Sequence, residues 1–188
     1  MRRLPVYLLI DCSESMAGTA IETLNVAISS MVQELRKMPQ ALETVALSVI
    51  AFSGDARLAV PLTSLELFKL PTLTINPGTS LGRALDMLAA CVETDVVMTT
   101  EKRKGDWLPL VFLFTDGQPT DDWRGTAERI RKLAMPKVVY DGVDEPNHAK
   151  DRMTERTTSP KIACIFLIVS RPALPALCFC RIGGNSWH

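Results

Sequence analysis

The run LPVYLLIDCSES, residues 4–15, decides how the rest of the chain is read. Its first seven residues are continuously apolar and rich in strand formers, the pattern of a strand buried on both faces, as in a parallel sheet. At Asp11 the texture switches to small polar residues that continue to Gly18, which fits a loop leaving the strand's carboxyl end. Residues 19–38 follow, with Ile21, Leu24, Ile28, Met31, Val32, Leu35 and Met38 at spacings of three and four. That spacing marks an amphipathic helix, and Pro39 cannot continue it.

Working outward, residues 44–52 (TVALSVIAF) read as a second strand, Ser53-Gly54-Asp55 as a turn and residues 56–62 as a short return strand. Residues 65–77 are irregular and hold Pro71 and Pro77. Gly78-Thr79-Ser80 then opens a helix to about Val97, with Leu81, Leu85, Leu88, Cys91 and Val92 on one face. A charged loop (EKRKGD, 101–106) precedes a third buried strand at 108–115 (LPLVFLFT). Thr120 is expected to cap a last helix reaching about Leu133, with Asp121 and Asp122 in its first turn. Strands alternating with helices imply an α/β fold with a mostly parallel sheet covered on both faces. Ligand sites in such folds lie beyond the carboxyl ends of the strands.

After Ala134 the pattern changes. Residues 137–140 make at best a weak strand, and 141–160 are polar and charged without a helical period. A run at 161–170 (KIACIFLIVS) again has strand character and could complete the sheet; Pro172, Pro175 and Gly183-Gly184 break what remains. The expected organisation is a domain core at 1–134 and an atypical C-terminal segment at 135–188.

Composition narrows the function. A chain of 188 residues with 47% apolar and 22% charged residues is ordinary globular protein. Its 21 basic residues equal its 21 acidic ones, which argues against a dedicated nucleic-acid binder. The five cysteines are odd in number and irregularly spaced, so no secreted disulfide framework is expected. Arg2-Arg3 and the apolar run after them resemble a leader, but Asp11 interrupts too early and no small-residue cleavage site follows. The late apolar run at 162–169 is too short to span a bilayer. The expected compartment is the cytoplasm.

Three loops carry candidate chemistry: Asp11, Ser13 and Ser15 after the first strand, Thr79 before the second long helix, and Asp116 after the third buried strand. Hydroxyls and carboxylates are hard oxygen ligands, suited to Mg²⁺, Mn²⁺ or Ca²⁺ and not to zinc. Alternate residues of an extended loop point the same way, so Asp11, Ser13 and Ser15 can face one ion. Mg²⁺ accepts few protein ligands, which leaves a position for a carboxylate from outside. The bland alternatives are a strand-to-helix turn at 11–15, a helix cap at 78–80 and a plain turn at Asp116-Gly117.

LLIDCSESM, PGTSLGRAL and LFTDGQPTDDW together resemble the three loops of the metal-ion-dependent adhesion site of a von Willebrand factor A domain. The Asp-x-Ser-x-Ser motif matches Asp11, Ser13 and Ser15; the second-loop Thr matches Thr79 and the third-loop Asp matches Asp116. The resemblance covers about residues 1–134 and is closest to the bacterial tellurite-resistance, TerY-like branch. It implies a Rossmann-like, doubly wound sheet with helices on both faces. It also implies that the two Ser and the Thr coordinate directly while the Asp residues act through water. Glu14 departs from the pattern, standing where the family often has Gly.

The leading expectation is thus a non-catalytic, cation-dependent protein-binding module in a bacterial stress or tellurite-resistance system. Its partner would be a protein supplying an acidic residue, of kinase or phosphatase type. One alternative is a metal-assisted phosphohydrolase with Asp11 attacking phosphorus, although Ser13 stands where such enzymes usually carry a second Asp and no phosphate-binding Gly loop appears. Another is a subunit of a chelatase- or ATPase-type assembly. Cys12 lacks a histidine in 1–134 to activate it and is expected to pack away from the ion. Trp107 and Trp123 are expected in the core, with the site rim as the competing position. Cys178, Cys180 and His188 form only a weak zinc pattern.

Overall fold

The computed structural model describes residues 2–116, 118–132 and 163–168. One sheet carries five strands: β1 Leu4–Asp11, β2 Val45–Phe52, β3 Ala56–Ser64, β4 Leu110–Thr115 and β5 Ala163–Ile168. Their spatial order is β3-β2-β1-β4-β5. The helices are α1 Thr19–Arg36, α2 Pro39–Thr44, α3 Leu81–Asp95 and α4 Arg124–Lys132.

β1 is the central strand, parallel to β2 from Leu4↔Val45 to Asp11↔Phe52 and to β4 from Val6↔Leu110 to Ile10↔Phe114. Its unbroken apolar run follows from coverage on both sides. Val6, Leu8 and Ile10 pack with Ile21, Leu24 and Ile28 of α1. Tyr7 and Leu9 point the other way, to Leu81, Leu85 and Leu88 of α3 and Ile130 of α4. This is the doubly wound α/β arrangement, with parallel pairing at the sheet's centre. β3 is antiparallel to β2, and β5 is antiparallel to β4, from Leu110↔Ile168 to Thr115↔Ala163. Pro61 lies in β3, an edge strand, where a missing N–H costs no ladder bond.

Two helix boundaries and the placement of one tryptophan depart most from the sequence reading. α1 ends at Arg36, and Pro39 begins a short second helix, taking the first-turn position that tolerates proline. α4 begins at Arg124, four residues after Thr120, because residues 120 and 121 are bonded to another part of the chain (below). Trp107 is not in the core: it is 50% exposed, with the Arg2 guanidinium 3.9 Å from its ring centre. It is also far from the expected rim, since its N–H donates to the Arg3 carbonyl at the amino end of β1. There Arg3 clamps the charged loop through Asp106, at 2.7 Å. Trp123 is half-buried against the α3-side core, as expected. The regions 137–140 and 141–160, and Cys178, Cys180 and His188, lie outside the described residues.

Candidate metal-binding site

Because β1 and β4 are parallel neighbours, their following loops emerge at the same sheet edge. Asp11 ends β1 and is fully buried. Its two carboxylate oxygens accept hydrogen bonds from different elements: Oδ1 from the Ser13 N–H at 2.8 Å, and Oδ2 from the Thr115 hydroxyl, at the end of β4, at 2.6 Å. Asp11 therefore joins the first loop to the third.

The hydroxyls extend that join. Ser13 Oγ lies 3.0 Å from Ser15 Oγ, and Ser15 Oγ donates to Asp116 Oδ1 at 2.7 Å. A hydroxyl has one proton. Ser15 gives its proton to Asp116, so Ser13 donates to Ser15. The loop is not extended throughout, as the sequence reading supposed: Ser13 is extended, and Glu14–Met16 forms one 3-10 turn. The fully buried Met16 pins that turn into the core, and Glu14 is exposed, its carboxylate making no hydrogen bond among the described residues.

Thr79 is buried and held through its backbone. Its N–H donates to Thr120 Oγ1 at 3.2 Å, and its carbonyl accepts from the Thr120 N–H at 2.8 Å. Next to it, Ser80 N–H donates to the Ser53 carbonyl at 2.6 Å. No hydrogen bond among the described residues joins Thr79 to Ser13, Ser15 or Asp116. The structure thus ties four of the five candidate residues into one network and fixes the fifth to the third loop by a separate latch.

Asp121 completes the latch. Its Oδ1 accepts from Gly82 N–H at 3.0 Å and its Oδ2 from Arg83 N–H at 3.2 Å. It therefore caps α3, whose own Ser80 provides no side-chain cap. A Cβ on Gly82 would stand 2.9 Å from Asp121 Oδ2 and 3.0 Å from the Asp122 carbonyl, so this approach requires glycine. Sequence reading missed Thr115, Thr120 and Asp121. Thr120 and Asp121 had the right chemistry for a cap, but only the tertiary fold shows that the capped helix is α3.

Electrostatics leave the cleft short of positive charge. The ion pairs among the described residues are Arg3–Asp106, Lys37–Glu34 and Arg83–Asp55; neither Asp11 nor Asp116 has a basic partner. Burying an unpaired carboxylate is costly, so a cation is the chemical complement of this cleft. The described residues hold no cluster of three or more His, Cys, Asp or Glu. The donor set is instead two carboxylates with hydroxyls, which suits a hard ion that retains water. The oxygen spacings of 3.0 and 2.7 Å lie close to the octahedron edge of about 2.9 Å that follows from Mg–O bonds of about 2.0–2.1 Å. Cys12 is buried in the α1-side core. Burial pushes its thiol up to about 11, against a smaller pull from Arg57, which disfavours the thiolate.

The family model for the von Willebrand factor type A domain matches residues 6–173. The chain belongs to that family. Domains of this kind commonly bind a divalent metal at the adhesion-site motif and mediate protein interactions. Comparison with curated proteins gives no match. Among solved structures, proximal thread matrix protein 1 of the mussel byssus is 16% identical over 70% of this chain and 36% of its own, with a TM-score of 0.50. The ArnB paralog VWA2 of Sulfolobus acidocaldarius is 20% identical over 65% and 29%, with a TM-score of 0.45. The vWF domain of the pili tip protein Mfa5 of Porphyromonas gingivalis is 22% identical over 63% and 39%, with a TM-score of 0.44. The match spans less than two fifths of each of these proteins, and at such identities the likeness concerns the fold alone. Among the described residues of this von Willebrand factor A domain, no helix is long and apolar enough to cross a membrane.

Proposed function

We propose that this domain is a non-catalytic, divalent-cation-dependent protein-binding module. Ser13, Ser15 and Thr79 would hold Mg²⁺ directly and Asp11 and Asp116 through water, with Mn²⁺ or Ca²⁺ as substitutes. All five lie in residues 1–134, which we take as the domain core, with 135–188 an atypical C-terminal segment. One observation carries the reading: a fully buried Asp11 and a nearby Asp116, linked to the same hydroxyl-rich loop, have no cationic partner among the described residues. When bound, the ion supplies an open position for an acidic side chain of a protein partner. Such a charge-assisted contact contributes roughly 1.5–3 kcal/mol, so the surrounding surface supplies the rest of the affinity.

The finer assignment follows the sequence resemblance to the tellurite-resistance branch: a bacterial stress-response role, a cytoplasmic location and a kinase- or phosphatase-type partner. The phosphohydrolase alternative is weaker. A nucleophilic Asp11 needs an accessible oxygen, and both of its oxygens are buried and hydrogen-bonded. Membership of a chelatase- or ATPase-type assembly would show as co-purification with an ATPase. The direct test is calorimetric titration of Mg²⁺ and Mn²⁺ into wild type, Ser13→Ala and Asp116→Ala. At least tenfold weaker binding in both variants is expected; equal affinity in all three eliminates the site.

A further inference from the structure

A cavity of about 340 Å³ opens beside the first loop, between the β2–β3 turn and the segment that leads into Thr79. Cys12, which lines it, stands between Asp11 and Ser13 in the chain, and Asn76-Pro77 ends two residues before Thr79, so the cavity borders the first and second loops although none of the five candidate ligands lines it. Its walls are tied together. Cys12 N–H donates to the Phe52 carbonyl at 2.7 Å, Asn76 N–H to the Cys12 carbonyl at 2.9 Å, and Ser53 N–H to the Asp55 carbonyl at 2.9 Å. Gly78, at φ 87°, brings the second loop so close to the turn that a Cβ there would stand 2.9 Å from Gly54 Cα.

The lining carries one cation, Arg57, and one carboxylate, Asp55. Arg83 already holds Asp55 at 3.0 Å, whereas the Arg57 guanidinium has no ion pair or hydrogen bond among the described residues. A solvent-exposed guanidinium with no carboxylate partner therefore lies across Cys12 from two carboxylates with no basic partner. A ligand that satisfies both brings a carboxylate to the ion and a second carboxylate to Arg57. Ala56 and Pro77, which are partly or fully exposed, offer apolar surface for the methylenes of a glutamate side chain.

We propose that this cavity is a second subsite of the acidic partner, taking a glutamate side chain next to the one that reaches the ion; the pairing of the two subsites rests on the cation-dependent reading above. The first test uses acetyl-glutamate N-methylamide in EDTA, followed by NMR. Shifts at the Arg57 side chain and the Asn76 amide are expected with this probe, absent with acetyl-glutamine N-methylamide, and at least fivefold weaker in titration of Arg57→Gln. Silence at these positions in EDTA, or equal responses to both probes or both proteins, overturns the subsite. In Mg²⁺, a Glu-Gly-Glu peptide should bind wild type about tenfold tighter than Gln-Gly-Glu, and Arg57→Gln should erase that difference; an undiminished difference in the variant overturns the bridging. Mg²⁺ affinity should be the same in wild type and Arg57→Gln. Failure of the metal titration would remove the cation site and leave the EDTA result standing, so the two readings fail separately.

Discussion

Replacing Asp121 by Ala should destabilise the domain far more than replacing its neighbour Asp122. Asp121 accepts from the N–H groups of Gly82 and Arg83 at 3.0 and 3.2 Å, at a helix start with no cap of its own. Loss of a cap of this kind costs about 0.5–2 kcal/mol, and loss of a negative charge at a helix N-terminus adds about 0.3–1 kcal/mol. A total of about 2 kcal/mol is expected, and Tm should fall by about 4–8 °C for a chain of this size. Asp122 is exposed, and among the described residues its carboxylate accepts only from the Arg124 N–H at 3.2 Å, so Asp122→Ala should stay within about 0.5 kcal/mol. Asp121→Asn keeps an acceptor without the charge and should lose about half as much as Ala. Urea unfolding read by circular dichroism, with unchanged m, measures all three. Equal losses for Asp121→Ala and Asp122→Ala would refute the assignment, because that is what two first-turn charges on α4 would give. Since α3 follows directly on Thr79, Asp121→Ala should also weaken Mg²⁺ by about tenfold, as loss of a group supporting a ligand does.

Two further outcomes follow from the same geometry. Burial raises the Asp106 carboxyl, but the Arg3 guanidinium and the N–H groups of Val97 and Arg3 outweigh it and hold the group below its ordinary value. A lowered carboxyl stabilises the fold above its unfolded pKa of about 3.9, and that contribution fades as pH falls through the folded value. The stability gap between wild type and Asp106→Asn should therefore narrow from pH 7 to pH 3, and a gap constant in urea unfolding across that range would contradict the clamp. Gly82→Ala gains about 1 kcal/mol of helix propensity but forces contacts of 2.9 and 3.0 Å, worth about 1–3 kcal/mol of strain, so net destabilisation is expected. Gly125→Ala in α4 meets nothing within 4 Å and should gain about 0.5–1 kcal/mol; the same sign for both in urea unfolding would be the wrong result.

Much of the fold was legible because local pattern and tertiary burial agree. The run at 4–10 is apolar at every position since β1 is covered on both faces, and that reading placed Asp11 at a strand's carboxyl end before any coordinates. The helical spacing from Ile21 to Leu35 likewise marked the face that α1 buries. Harder to see was α2, because Pro39 can stop one helix and start the next, and the two meanings are locally the same. Trp107 misled for a related reason: an aromatic side chain is usually buried, but here a guanidinium covers one face and solvent takes the rest.

By itself, the sequence determined the alternation of elements and the identity of the oxygen-bearing residues, since these depend on side-chain type and on periods of two and 3.6 along the chain. The tertiary structure alone decided which loops meet. The Asp11–Thr115 bond, the Ser15–Asp116 bond and the Thr79–Thr120 latch join residues 104, 101 and 41 positions apart. A donor fixes its acceptor only through distance and angle, and between loops so distant in the chain those are set by the parallel register of β1 and β4 and by the packing of α3 against the sheet.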